Sequence, residues 1–264
     1  MHCKKKSIIK NIFQKNKLLH SKHTQKDISD FIRLAIPNIK EISDFISIKI
    51  KSEQCIRMSV VINKTRISNY DVEIVIDNDL TKDKFNIKEI KGECSQYEAM
   101  KVTIKGLAHR HGKDDRFYDS VNETQEEISY RIFHVVIHEL VHALQIQFNE
   151  NYFRDGHGSN AVRLGREAER AEHKNSCYKE YKYLNYLNCE SEHEAHSYQM
   201  ASEVYITHVT KLSKNEYKQK AKNSDLADHI YRKKTGKFCP ISRFIFWYSL
   251  NRLVKKSWKF YSTL

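Results

Sequence analysis

The sequence has 264 residues, of which 40% are hydrophobic and 11% aromatic, with seven glycines and only two prolines. This composition excludes a disordered tail and a fibrous protein, and the length suffices for one or two domains with a buried core. Lysine and arginine (46) exceed aspartate and glutamate (33), which gives a formal charge of +13. Such a charge predicts either contact with DNA or nucleoprotein or a solvated, lysine-rich surface.

The cysteines and the apolar segments indicate an intracellular protein without a membrane span. The six cysteines include no Cys-x-x-Cys pair, and the basic N-terminus lacks the apolar stretch of a signal peptide. We therefore expect reduced thiols and a cytoplasmic or nucleic-acid-associated setting. The most apolar run, ISRFIFWYSLNRLV, contains Arg243 and Arg252 and is too short for a bilayer, so it predicts a packing helix.

The first half of the chain predicts one helix and a small sheet. Thr24 and Asp27 have the spacing of a helix start, and Pro37 is expected to end that helix. Four later segments are rich in β-branched residues and partly alternate between apolar and polar positions, which predicts strands. These segments are residues 45–50, 55–62, 70–77 and 99–105.

The second half predicts helices. The segment ETQEEISYRIFHVVIHELVHALQIQF is typical of a long helix, with Asn122 as its N-cap and Gln125 three residues on. Further helical stretches follow to the end of the chain. A small sheet followed by helices is an α+β order. From this order we predict three parts of the chain: a basic N-terminal arm with a helix (1–40), a catalytic domain (41–210) and a basic helical C-terminal extension (211–264).

An HExxH motif lies within this long helix, at residues 138–142. Residues four apart lie one above the other on a helix, so His138 and His142 can bind one Zn²⁺, while Glu139 can take a proton from water. The motif therefore predicts a zinc metalloprotease, a hydrolase whose metal activates water and polarises the scissile carbonyl. His134, one turn earlier, is expected to pack or to support a ligand rather than to bind the metal.

A catalytic zinc also needs a third protein ligand, and the sequence leaves this ligand open. Phe148 stands where the metzincin pattern requires a histidine, which excludes that class. The remaining candidates are His157, in the loop that follows the motif helix, and the carboxylates Glu192 and Glu194. By residue type alone, donors for a tetrahedral intermediate could be Tyr152, Tyr198 and His196.

The segment HELVHALQIQFNENYFRDGHGSNAVRLG resembles the SprT-like metalloprotease family, which includes Spartan. The resemblance implies a minimal zincin-like core with a small sheet before the motif helix and additional C-terminal helices. It also implies His138, His142 and His157 as zinc ligands, Glu139 as base, and proteolysis of proteins crosslinked to DNA. Unlike that family, the chain has no aromatic residue after the His-Gly pair and no Cys-x-x-Cys tail.

Three alternatives stay open. The segment YLNCESEHEAHSYQ is similar to the Glu-x-Glu-Ala pattern of gluzincins, which implies Glu192 or Glu194 as the third ligand. A non-catalytic nucleic-acid-binding protein on a zincin fold is the second alternative, and the intact Glu139 favours the enzyme over it. The third concerns a structural zinc between two helices, for which four residues have suitable spacing: His173, Cys177, Cys189 and His193.

Overall fold

The computed structural model describes residues 22–51, the backbone of four segments between 57 and 107, and residues 124–148, 157–171, 176–208, 210–228 and 240–264. The first 21 residues of the predicted arm lie outside this part. The helices are α1 (Lys22–Lys51), α2 (Gln125–Gln147), α3 (His157–Arg170), α4 (Ser176–Leu187), α5 (Glu190–Thr207), α6 (Lys214–Lys222) and α7 (Pro240–Tyr261). The chain divides into two compact units, one of residues 30–144 and one of residues 1–29 with 145–264.

Four strands pair through their backbones in the unit of residues 30–144. They are β1 (Arg57–Val61), β2 (Asp71–Asn78), β3 (Asn86–Glu93) and β4 (Lys101–Leu107), in the order β1-β2-β4-β3. The central pair, β2 with β4, is parallel and the other two pairs are antiparallel. The side chains of these strands lie outside the described residues.

The predicted fold class, an α+β zincin-like core built on a small sheet, is wrong. Among the residues whose side-chain burial the structure describes, 89% are helical and none lies in a strand. The motif helix α2 is joined to α1 by side chains, since Ser129 Oγ donates a hydrogen bond to Asp44 Oδ1 at 2.5 Å and Lys40 pairs with the same carboxylate. The interior that can be described is therefore helix packed on helix.

The predicted strand at residues 45–50 is also wrong, because α1 continues through Pro37 to Lys51. A proline inside a helix costs about 3 kcal/mol. The buried isoleucines Ile36, Ile39 and Ile46 each contribute roughly 1.5–3 kcal/mol in compensation, and they recur at helical spacing. Burial along one helix face thus outweighs both the proline and the β-branched alternation.

The start of α2 differs from the prediction by two residues. Thr124, not Asn122, caps the helix: Thr124 N donates to Glu127 Oε2 at 2.7 Å, and Glu127 N donates to Thr124 Oγ1 at 3.2 Å. This is a capping box, which satisfies two amide groups that the first helical turn leaves without partners. Asn122 lies outside the described residues.

Helix α5 is buried on every side in the unit of residues 1–29 and 145–264. All residues from Ser191 to Val204 are buried, although seven of them carry ionisable or amide side chains. The ring of Tyr198 stacks on Phe260 of α7 at 3.7 Å, and its hydroxyl lies 3.0 Å from Ser29 Oγ. Small residues such as Ala195 and Ala201 let neighbouring helices approach α5 closely.

Helix α7 confirms the predicted packing helix at the apolar C-terminal run. Leu250, Leu253 and Val254 are buried, and Phe260 and Tyr261 extend the same buried face. None of the described helices is long and apolar enough to cross a membrane.

Glu203 of α5 holds the short helical turn that follows α6. Its carboxylate accepts hydrogen bonds from Asp225 N at 2.7 Å and Leu226 N at 3.2 Å. Burial nevertheless raises the pKa of Glu203 to about 7, because desolvation of the charged form outweighs these two hydrogen bonds.

The substitution Glu203→Gln is expected to flatten the pH dependence of stability. The folded pKa of about 7 lies above the ordinary value of 4.5, so the stability from this group is fully present below pH 4.5 and is lost as pH rises through 7. The loss is at most about 3 kcal/mol. Urea denaturation between about pH 5 and 8 should show this fall in the free energy of unfolding in the wild type and a smaller fall in Glu203→Gln. The exposed variant Glu169→Gln should follow the wild type, and parallel curves for all three would contradict the prediction.

Candidate metal centre

The HExxH motif lies in α2, as the sequence predicts, and its three functional side chains are half-buried. The Nε2 atoms of His138 and His142 approach each other to 3.0 Å, and the two rings meet edge to face with centroids 4.6 Å apart. Their flanks, Ile137, Leu140 and Val141, are fully buried. Packing on both sides of the motif therefore fixes the two imidazoles on one accessible face of the helix.

His134 does not join this pair. It is 8% exposed, and its ring contacts those of Phe133 and Tyr130, with centroids 5.9 and 6.4 Å away. The structure thus places His134 among aromatic side chains, which agrees with the packing role predicted for it.

Gln145, three residues after His142, connects α2 to the first turn of α5. Its side-chain amide is fully buried, and Nε2 donates to Ser191 O at 3.2 Å and to Glu194 Oε2 at 3.1 Å. Both partners belong to the same compact unit as Gln145. Nothing in the sequence pattern marks this residue, because a glutamine on an apolar helix face has no signature that distinguishes a buried donor from a solvated one.

The N-terminal part of α5 carries both carboxylates that the sequence nominates as third ligand. Glu194 is 1% exposed and has one oxygen engaged by Gln145, whereas Glu192 is 5% exposed. Within the described part of the chain, the residues that could each offer one ligand atom to a shared metal ion are His138, His142 and Glu192. His157 begins α3, but its side chain lies outside the described residues.

A charged cluster flanks this part of α5 on the side of α7. Burial raises the pKa of Glu190 to about 7, although the charge of Lys256 lowers it. Burial likewise lowers the pKa of Lys256, against the opposing charges of Glu194 and Glu190. The pKa of His193 falls well below its usual value because of burial and the nearby cations Lys256 and Arg252. The imidazole of His193 is therefore neutral near pH 7.

The four residues of the predicted structural zinc site are only partly described. Cys189 is a buried free thiol whose pKa burial raises to about 12, and its Sγ lies 3.7 Å from Ser191 Oγ. Neither ring nitrogen of His193 has a hydrogen-bond partner among the described residues. The side chains of His173 and Cys177 lie outside them, so this site stays a prediction.

The candidate donors for a tetrahedral intermediate have other contacts. The hydroxyl of Tyr198 is within hydrogen-bond distance of Ser29 Oγ and donates to Gln25 O, and His196 Nδ1 lies 3.0 Å from Gln199 Oε1. Tyr152 lies outside the described residues.

No protein-family model, curated protein or solved structure matches this chain.

The substitution Gln145→Leu is expected to lower the free energy of unfolding by roughly 1–3 kcal/mol, because Ser191 O and the Glu194 carboxylate stay buried and lose a donor. Gln145→Glu should cost more, since it adds a buried charge beside Glu194. Urea denaturation measures both effects. The exposed variant Gln219→Leu on α6 should stay within about 0.5 kcal/mol of the wild type. A Gln145→Leu protein as stable as the wild type would show that this link contributes nothing.

Proposed function

We propose that the chain is a zinc-dependent metallopeptidase in which His138, His142 and Glu192 hold the metal and Glu139 is the general base. The observation that carries the proposal is the 3.0 Å approach of the two Nε2 atoms on one face of α2. Two Zn–N bonds of about 2.05 Å at the tetrahedral angle place their nitrogens about 3.3 Å apart. The histidines thus need to separate by only a few tenths of an ångström to chelate Zn²⁺.

The contacts of Gln145 support Glu192, rather than Glu194, as the third ligand. Gln145 follows His142 by less than one helical turn and is hydrogen-bonded to both Ser191 and Glu194. These bonds hold the first turn of α5 against the end of the motif helix and occupy one oxygen of Glu194. Glu192 belongs to the same turn and is the carboxylate that the described residues group with the motif histidines. In this arrangement Glu194 is held by Gln145, and Glu192 binds the metal.

The protein side of the reaction follows from the position of Glu139. Zn²⁺ in such a centre supplies Lewis-acid polarisation of a carbonyl and lowers the pKa of water. Glu139 adjoins His138 in α2 and is half-buried, so its carboxylate can accept the proton of the attacking water and pass it to the leaving amine. The buried flanks of the motif keep the base and both histidines oriented before substrate arrives.

The substrate of this enzyme is a protein or peptide. The basic charge supports contact with DNA or nucleoprotein, and the resemblance to SprT-like peptidases supports DNA-associated proteins as substrates. The specific link to that family stays a prediction, as does the intracellular setting.

Metal analysis of the purified full-length protein tests the centre. We expect about one Zn²⁺ per chain in the wild type and a loss of metal affinity of tenfold or more in His142→Ala and Glu192→Ala. Glu194→Gln is the matched control and should retain zinc, because the amide still accepts a hydrogen bond from Gln145. Circular dichroism establishes that each variant is folded. Loss of zinc in His157→Ala but not in Glu192→Ala would assign the third ligand to His157, and absence of zinc from folded wild type would refute the centre.

Glu139→Gln separates chemistry from metal binding. The variant should keep its zinc and lose peptidase activity on a fluorescent casein substrate by a factor of roughly 10²–10⁴, the usual contribution of a general base. His134→Gln is the control and should leave activity within a few fold of the wild type. Full activity in Glu139→Gln, or hydrolysis that persists after chelation of zinc, would contradict the assignment.

A further inference from the structure

The positive charge of the protein is concentrated in its two terminal segments. Residues 1–26 contain eight lysines and no acidic residue, and residues 211–264 contain 14 lysines and arginines and only three acidic residues, whereas acidic residues outnumber basic ones between them. Helix α7 contains no acidic residue at all. A charge that arose from lysine-rich composition alone would be spread along the sequence, whereas this charge is segregated.

One face of α7 exposes aromatic and cationic side chains together. Phe244 is 66% exposed and Trp247 is 52% exposed, although large aromatic side chains are usually buried. Arg243, Lys255 and Lys259 are also exposed. At 100° per residue these five residues fall within one half of the helix circumference. We call this half of α7, from Arg243 to Lys259, the aromatic-basic face; it is about 24 Å long.

The opposite half of α7 is packed. Phe246, Leu250 and Leu253 are buried there. The exposure of Phe244 and Trp247 is therefore a property of one face and not of a frayed helix. At the edge of the exposed half, the guanidinium of Arg252 lies over the ring of Tyr248, 5.8 Å from its centroid.

We propose that the aromatic-basic face binds single-stranded nucleic acid. Cationic side chains neutralise phosphates, and exposed aromatic rings stack on unpaired bases without regard to sequence. Both kinds of contact are available along this face, since Phe244 and Trp247 lie between Arg243 on one side and Lys255 and Lys259 on the other. A duplex has its bases already stacked and would use only the cations.

The same face fits a membrane surface less well. Helices that lie on membranes bury a broad stripe that includes aliphatic residues. Among the described residues of the aromatic-basic face that are exposed, the apolar side chains are aromatic and none is aliphatic. None of the residues named for the aromatic-basic face is a candidate metal ligand. Binding of nucleic acid is therefore expected to be the same in Glu139→Gln and after removal of zinc.

Fluorescence anisotropy of the full-length protein with a labelled oligothymidine tests the proposal. The double variant Phe244→Ala/Trp247→Ala should bind about tenfold or more weakly, because two stacking interactions are removed. Lys255→Gln/Lys259→Gln should bind more weakly and reduce the slope of log affinity against log salt by roughly 0.7 for each phosphate that is no longer neutralised. Tyr205→Ala and Arg166→Gln/Arg170→Gln, which remove exposed aromatic and basic residues from α5 and α3, should bind as the wild type does.

A second readout places the strand on Trp247 directly. The chain has two tryptophans, and Trp258→Phe leaves Trp247 as the sole tryptophan. Its fluorescence should be quenched on addition of oligothymidine, and quenching should saturate together with the anisotropy. Binding unchanged in Phe244→Ala/Trp247→Ala, an unquenched Trp247, or binding only to vesicles of anionic lipid would overturn the proposal. Equal loss in the α3 control would also overturn it, because it would show that general positive charge suffices.

Discussion

The structure depends on the burial of α5 on every side. From Ser191 to Val204 no residue of this helix reaches solvent appreciably, yet the segment contains three glutamates and two histidines. A buried charge without partners is too costly to retain, so such groups need to lose their charge, accept a hydrogen bond or bind a cation. Neighbouring segments supply the hydrogen bonds. The backbone amides of Asp225 and Leu226 donate to Glu203, and the side-chain amide of Gln145 donates to Glu194.

The same constraint differentiates the three carboxylates near the N-terminus of α5. Glu190 has a pKa raised to about 7, so near neutral pH much of its population is protonated. Glu194 accepts a hydrogen bond from the neutral side-chain amide of Gln145. Glu192, between them, has a metal cation as its natural counterion in the proposed centre. Three identical side chains within five residues thus acquire three different roles from their surroundings.

Sequence patterns predicted the parts of the molecule that local rules determine. The motif helix follows from its apolar periodicity, and the spacing of His138 and His142 gives their common face without further information. The position of Thr124 as N-cap was missed by two residues, because Asn122 and Thr124 are both good caps and only the reciprocal bond with Glu127 distinguishes them. The link through Gln145 joins residues 46 and 49 positions apart and has no local signal.

The wrong strand at residues 45–50 and the wrong fold class have one physical origin, which is tertiary packing. Residues 45–50 alternate like a strand, but Ile46 and Ser47 lie on the buried face of α1 and follow the helical repeat set by Ile39. The fold class was inferred from such alternation, and the described interior is instead formed by helices. Helix α5 presents the opposite difficulty: a helix buried all round has no polar face, so its sequence lacks the amphipathic pattern that reveals surface helices.

Helix α7 shows how far aromatic spacing alone can be interpreted. Aromatic residues at helical spacing are most often core, and Phe260 and Tyr261 follow that expectation, since Phe260 stacks on Tyr198 and Tyr261 contacts Tyr217. Trp247 has the same spacing and lies exposed. The difference is in the contacts: Phe260 and Tyr261 meet rings of other helices, whereas Arg243 and Asn251, one turn to either side of Trp247, are exposed. Packing against a neighbouring helix, rather than aromatic content, therefore separates a buried ring from an exposed one.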